Sequence, residues 1–341
     1  TVVAVHVPTG STYGAATVFD GFYRISGMRA GGPFRITFSY LGFNEDVKEN
    51  IFLTLGRTQQ FNVSLSESAT ALQEVVVTGT STGIFGANKT GTETTISQRE
   101  VATIPAASRS IADFVRLTPQ AQVTEGNDGF SISLAGQNNR YNAIYIDGAV
   151  NNDVFGLAGS GTNGGQTGVN PLSVDAIETF QINIAPFDVR QSGFSGGSIN
   201  AISRSGSNNW EGSAYSFVRN ESLAGKTPPS LVGEGEEREK LADFSALTYG
   251  FRVGGPIIKD KLFLFLNYER QEDETPQPFN FSNYTGRSSQ ADLQGLSSFL
   301  NSTYGYDPGI FDNNTRTLES NRITAKLDWN INEDHKLSLR Y

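Results

Sequence analysis

From Leu247 to Gly254 apolar and polar residues alternate one for one. Leu247, Tyr249, Phe251 and Val253 form one row, against Thr248, Gly250, Arg252 and Gly254. Leu262, Leu264, Leu266 and Tyr268 form a second apolar row. Ile323, Ala325, Leu327 and Trp329 form a third, opposed by Arg322, Thr324, Lys326 and Asp328, and Leu337, Leu339 and Tyr341 continue the rule. A period of two is the signature of strands with one apolar face. With the segment that opens at Trp210, it predicts about five strands up to Tyr341. Short turns, Lys259-Asp260 and Asn332 to His335, join the members of each pair, whereas the other connections, about residues 220–243 and 271–321, are long and polar.

Short turns at one end, long loops at the other and a continuous apolar face are what an outer-membrane barrel requires, with apolar rows toward lipid and polar rows toward the lumen. A soluble sandwich alternates as well, but it has no reason to collect its long loops at one end, and a loop of about 50 residues is uncommon in a compact domain. Phe263 and Phe265 interrupt the polar row, which predicts that they pack on something inside or are locally buried. No window approaches 18 consecutive apolar residues, so a transmembrane helix is excluded and a barrel is not. Five open strands would leave unpaired edges in lipid, so the polypeptide is expected to continue beyond Tyr341.

Upstream the pattern changes twice. Residues 1–67 read as a small β-sandwich: TVVAVHV, the turn Pro8-Thr9-Gly10, Ala16 to Phe19, the turn Asp20-Gly21, FYRIS, a turn at Gly31-Gly32-Pro33, FRITFSY and finally QQFNVSL. Thr1 opens inside a strand-like run, so a processed or truncated start is expected. Residues 68–83 are a small, polar linker around one apolar pentad. In residues 84–208, Gln98–Val101 and Ser108–Leu117 have helical spacing, the second with a candidate N-cap serine and Pro119 after its end. Strand-like SISLAG and NAIYIDG follow, then a glycine-rich loop from Gly156 to Gly168 and PLSVDAIETFQINIA.

These orders carry resemblances. TVFDGFYRISGMRAGGPFRITFSYLGF resembles the carboxypeptidase regulatory-like domain, a prealbumin-like sandwich, with its usual first strand missing. LQEVVVTG at 72–79 is similar to the energy-coupling TonB box that follows such domains. A helix before a proline, a strand pair ending in YIDG, the helix SVDAIETFQI and a final GGSINAISRSG strand resemble the plug of TonB-dependent outer-membrane transporters. APFDVRQSGFSGGSINAISRSGSNNWEGSAYSFVRN is most similar to the Oar-type branch. The resemblance implies a mainly β chain: sandwich at 1–67, tether at 68–83, α+β plug at 84–208, and at 209–341 the first strands of an antiparallel barrel that is incomplete in this chain, a plugged barrel needing about 22. It implies a TonB-type partner, outer-membrane lipid and a transported substrate of unknown identity; a surface lipoprotein partner is also compatible.

Composition narrows the function. With 37 glycines, 23 Phe and 12 Tyr in 341 residues, turn-rich β-structure is expected. A net charge of −9 without a Lys/Arg cluster argues against a nucleic-acid surface. The absence of cysteine excludes thiol catalysis and thiolate metal sites, and two histidines and one methionine leave soft-ligand metal chemistry little to work with. Ser-His-Asp chemistry would need His6 or His335, and no G-x-S-x-G elbow accompanies either, so no enzymatic activity is expected. Gly159, Gly161 and Gly164 fit G-x-G-x-x-G without the strand before and helix after that a dinucleotide requires, and no cofactor is expected. Asp147, Asn151, Asn152 and Asp153, or Glu125, Asn127 and Asp128, do not follow a calcium-loop spacing and read as Asx-rich turns, so no metal is expected either.

Two sets of residues stand out. Glu74, Val75, Val76, Val77 and Thr78, an extended β-branched run in a tether, suit strand addition to a partner's sheet edge and transmission of a pull; the same run would suit the last strand of the sandwich. Asp147, Asp188, Arg190 and Arg204 lie in the plug motifs, where shielded charges are expected to be paired, so plug-to-barrel salt bridges are favoured over substrate contact. The function expected is active transport through a plugged barrel. The alternative is a surface-exposed binding or adhesion protein without transport.

Overall fold

A computed structural model of the chain describes residues 1–53, 58–67, 92–96, 98–104, 106, 109–126, 129–163, 165–184, 192–233, 237–276, 281, 284–311, 314–332 and 335–341. The chain is mainly β and divides into two compact units. One comprises Thr1–Ser213, Phe251–Tyr268 and Arg322–Tyr341; the other comprises Ala214–Gly250 and Glu269–Asn321.

The first sheet has the order β2-β1-β3-β4, from β1 (Val2–His6), β2 (Ser11–Ala15), β3 (Gly31–Phe38) and β4 (Asp46–Leu53). Val2, Ala4 and His6 alternate into the core, where they meet Phe34, Ile36 and Phe38. The expected second sheet is not laddered: Ala16 to Phe19, Phe22 to Ser26 and Gln59 to Leu65 are not strands, and β4 was not anticipated. Tyr23, Ile25, Phe61, Val63 and Leu65 nevertheless pack on the core, and Tyr23 Oη donates to the Phe61 carbonyl at 3.0 Å. Alternation reports an extended backbone with one face inward; it does not report whether the backbone finds a ladder partner. His6 is buried with Nδ1 2.7 Å from Thr9 Oγ1, and burial, helped by Arg29 and Lys336, pulls its imidazole down to about 3. It is a neutral core residue.

The second sheet, β5-β10-β11-β8-β9, is built from β5 (Thr92–Ile96), β8 (Ala143–Ile146), β9 (Ala149–Val150), β10 (Ile177–Ile184) and β11 (Gly197–Ser203). β11 runs antiparallel to β10 and parallel to β8. A hairpin of β6 (Ala121–Gly126) and β7 (Gly129–Leu134) and the helices α1 (Gln98–Thr103) and α2 (Ile111–Val115) cover it. Ser110 and Asp113 form a capping box that starts α2, while Ile111, Ala112, Phe114 and Val115 enter a core with Phe180, Ile182 and Ile199. The expected helix SVDAIETFQI is a correction: only Val174–Ala176 makes a 3-10 turn, and β10 follows at once. Ile177 and Phe180 fit either period, and pairing with both β5 and β11 decides for the strand.

The third sheet runs in sequence order, β12 (Glu211–Asn220), β13 (Ser245–Ile258), β14 (Leu262–Pro276), β15 (Thr315–Asn330) and β16 (Lys336–Arg340). The predicted phase holds on β14, where Phe263, Phe265, Asn267 and Glu269 are buried and Leu262, Leu264, Leu266 and Tyr268 are not. On β15, Arg322, Thr324 and Lys326 are buried while Ile323 is 60% exposed. Phe265 joins the core of the second sheet, which is why it departs from the polar row. The connection expected at 271–321 is shorter, because β14 and β15 continue through the polar runs RQEDETP and TRTLESN. It also holds α3 (Gln290–Tyr304), begun by a Ser289–Asp292 capping box and ended by Gly305 in the left-handed conformation.

Candidate functional site: the interface between the second and third sheets

Asp147 owes its position to a hairpin. Tyr145 pairs with Val150 and Ile146 with Ala149, leaving Asp147-Gly148 as a two-residue loop with φ of 50° and 82°. Such loops take type I′ turns, which Asp-Gly tolerates better than other pairs. The carboxylate at the turn faces the end of β11 and the third sheet. It accepts from the Ser203 backbone N–H at 2.8 Å and the Ser203 hydroxyl at 2.5 Å, lies 3.0 Å from Arg340 Nη1 and 3.8 Å from Lys326 Nζ. Lys326 and Arg340 are directly opposite in the β15–β16 ladder. Two adjacent cations of the third sheet, like charges that would otherwise repel, thus share one carboxylate at a hairpin tip of the second. Lys326 Nζ also donates to the Ser203 carbonyl at 3.2 Å.

Arg204 follows Ser203 and donates its backbone N–H to the Ala176 carbonyl at 2.8 Å. Burial and the neighbouring Arg252 lower its guanidinium to about 10, against the attraction of Glu178, Asp175 and Glu211, so it stays charged at neutral pH. Glu178 is pushed up by burial, with Arg29, Lys326 and Arg204 pulling the other way. Asp147, Glu178, Lys326 and Asp328 line a cavity of about 260 Å³ together with Ser11 of β2 and Arg29 of the segment before β3. Of the four charged plug residues singled out in the sequence, Asp147 and Arg204 lie on this side, 57 residues apart in the chain and brought together by the β8–β11 pairing. Asp188 and Arg190 lie outside the described residues, as do Glu74 to Thr78.

Lys326, Arg340 and Glu178 were not singled out. Lys326 stands in the polar row of β15, so its inward direction was legible, but its partner depends on the sheets' docking. That docking is close. A Cβ on Gly206 would come within 2.5 Å of the Leu264 carbonyl oxygen and 2.8 Å of that of Gly255, so the segment between β11 and β12 can lie on the strands only as glycine.

At the opposite end of β8, Asn138–Tyr141 and Gly156–Gly159 surround an open bowl of about 530 Å³. Arg140 Nη2 donates to the Gly156 carbonyl at 2.9 Å and Asn139 Nδ2 to that of Gly159 at 2.6 Å. Tyr141, Val154, Phe155 and Leu157 are exposed around it. Asn152 and Asp153 spend their oxygens on backbone N–H groups, those of Ile144, Phe155 and Ala158, which holds the Asp153 carboxyl below the usual range. The Asp153–Phe155 contact is an Asx turn, whereas Asn152 reaches across to β8.

Comparison with known proteins adds family to geometry. Residues 1–66 match the carboxypeptidase regulatory-like domain and residues 202–315 the outer membrane beta barrel domain. The chain is homologous to the TonB-dependent transporter Oar of Myxococcus xanthus, 29% identical over 264 residues, which is 73% of this chain and 23% of that relative. It therefore spans about a quarter of that protein's length. Solved structures similar to it include the siderophore receptor PirA of Acinetobacter baumannii, 19% identical over 73% of this chain and 30% of that one, with a TM-score of 0.47. The outer membrane transporter YddB of Escherichia coli is 14% identical over 73% and 32%, with a TM-score of 0.48. The third sheet is thus the unclosed beginning of an outer-membrane barrel, and the protein belongs in the bacterial outer membrane.

Proposed function

We propose that this chain is the energy-receiving part of a TonB-dependent transporter: a plug seated in a barrel, moved from the periplasm by a pull on the tether that holds Glu74 to Thr78. The seating of Asp147 between Lys326 and Arg340 carries the reading. It joins the plug to β15 and β16 by polar contacts that can be broken and remade, as a gate needs, beside the apolar contact that Phe265 of β14 makes with the plug core. Outer-membrane lipid covers the apolar rows of β13 to β16, and the substrate would enter from the side of the Asn138–Tyr141 bowl. A surface lipoprotein remains a candidate partner of the loops. Asp188 and Arg190 are read from the sequence alone as further charges of the plug to be paired with the barrel, and no catalytic step is assigned.

Strand addition needs a ladder donor from every second residue. Val76→Pro removes one and disfavours the extended pairing of Val75 to Val77. Binding of the purified full-length protein to the immobilised periplasmic domain of a TonB-type protein is expected to weaken at least about tenfold, with unchanged melting in detergent. Equal affinity for the variant would remove the coupling role and favour binding or adhesion without transport.

A further inference from the structure

The first sheet does not hang free. The Asn208 backbone N–H donates to the Pro8 carbonyl at 2.7 Å, and Asn330 Nδ2 donates to Ser11 Oγ at 2.8 Å. Lys336 Nζ sits 3.1 Å from the centre of the Tyr13 ring, a cation over an aromatic face, and Arg29 reaches Asp328 at 3.9 Å. Asn330 in turn donates from Nδ2 to the Asp260 carbonyl and from its backbone to Lys261, tying this contact to the turn between β13 and β14. Two glycines meet the rim: a Cβ on Gly10 would lie 2.4 Å from Asp260 Oδ1, and one on Gly31 would lie 2.6 Å from Glu178 Oε1.

All of these contacts are on the short-turn end of the barrel strands, beside the Asp147 cluster, and Ser11, Tyr13 and Arg29 line one side of the cavity of about 260 Å³. Apart from the Tyr13 ring they are polar and few. Interfaces of that kind between domains of one chain favour relative motion over permanent docking.

We propose that the N-terminal regulatory-like domain is a removable strap: it seats on the short-turn rim through Pro8, Ser11, Tyr13 and Arg29, holds the plug's Glu178 and Asp147 side closed, and leaves when the tether behind it is pulled. The proposal rests on the transport reading for the source of the pull, and on this interface alone for the seated state. Because the domain precedes the coupling segment, one pull at 74–78 loads the strap on one side and the plug on the other. The strap has to release before the plug's underside opens.

The test uses full-length protein in cells, with Ser11→Cys and Asn330→Cys together and a short bifunctional methanethiosulfonate. A second pair, Tyr13→Cys with Lys336→Cys, guards against a local defect in the first, and each single cysteine is the control. Cross-linked product should be abundant in cells treated with a proton ionophore and fall at least about threefold in energised cells. Little product from both pairs in both conditions would overturn the seated state, whatever the coupling segment does. Equal, abundant product in both conditions, in protein that still binds the TonB-type domain in a Val76-dependent manner, would overturn the release while leaving the transport reading intact. Loss of that Val76 dependence, measured separately on purified protein, would count against the transport reading and against the pull that the strap requires.

Discussion

Asp147→Ala is expected to destabilise the full-length protein in lipid by about 3 kcal/mol, the low end of the cost of breaking a buried ion pair. The low end applies because the Asp147 and Arg340 side chains keep 21% and 27% of their exposure, whereas Lys326 keeps 9%. Removing the carboxylate leaves two cations side by side on β15 and β16 and takes the acceptor from the Ser203 N–H and hydroxyl. Lys326→Met should cost less, since Arg340 then keeps the carboxylate, and the double variant Asp147→Ala with Lys326→Met should recover part of the loss. Chemical unfolding of the four proteins gives the coupling energy directly. A change under about 0.5 kcal/mol for Asp147→Ala would mean that the plug is not held here.

The lipid face gives the second large effect. Phe251→Arg or Leu264→Arg is expected to cost about 2–4 kcal/mol where the position lies near the bilayer midplane, and about 0–1 kcal/mol near an interface. Phe251 is 48% exposed in this chain, on the row of β13 opposite buried Gly250. Its surroundings in the native state are then lipid, which cannot solvate a guanidinium. Thr248→Arg, on the opposite row, places the charge toward the lumen and should be clearly milder. Unfolding in vesicles distinguishes the rows; equal costs at Phe251 and Thr248 would reject the assigned phase.

The two predictions also mark how far the sequence could be read. The phase of β13 to β16 was legible because a barrel strand has one face in lipid, and a slip of one residue would put every apolar side chain in water. Phe263 and Phe265 were legible as exceptions but not as partners, since what lies beneath them depends on a plug folded from residues about 60 to 170 positions earlier in the chain. In the N-terminal domain the runs Phe22 to Ser26 and Gln59 to Leu65 were legible as apolar segments of the sandwich, and their pairing as strands was overstated. The helix expected at Ser173 to Ile182 failed because Ile177 and Phe180 satisfy two periods, and only the neighbours β5 and β11 choose between them. α3 was missed although Ser289 and Asp292 carry its start signal, the polar length of the loop having concealed a helix with no buried residue.

The same limit applies to the site. Asp147 could be singled out as a charge inside the YIDG motif, where shielded charges are expected to be paired, but the hairpin that sets its carboxylate was not read. Its partners Lys326 and Arg340 are 179 and 193 residues further on. Nothing local to either position announces the contact, and only the sheet order brings them together.

The account stands on the two ends of the barrel strands facing opposite sides of one membrane. Single cysteines at Ser230 and Ser298, in the two long connections, and at Lys259 and His335, in the two short turns, can be placed in this cysteine-free segment of the full-length protein and challenged on intact cells with a membrane-impermeant maleimide. Ser230→Cys and Ser298→Cys are expected to label at once, and Lys259→Cys and His335→Cys only after the outer membrane has been opened. Labelling of Lys259→Cys on sealed cells with Ser298→Cys silent would contradict the topology, and with it both the periplasmic tether and the gated barrel.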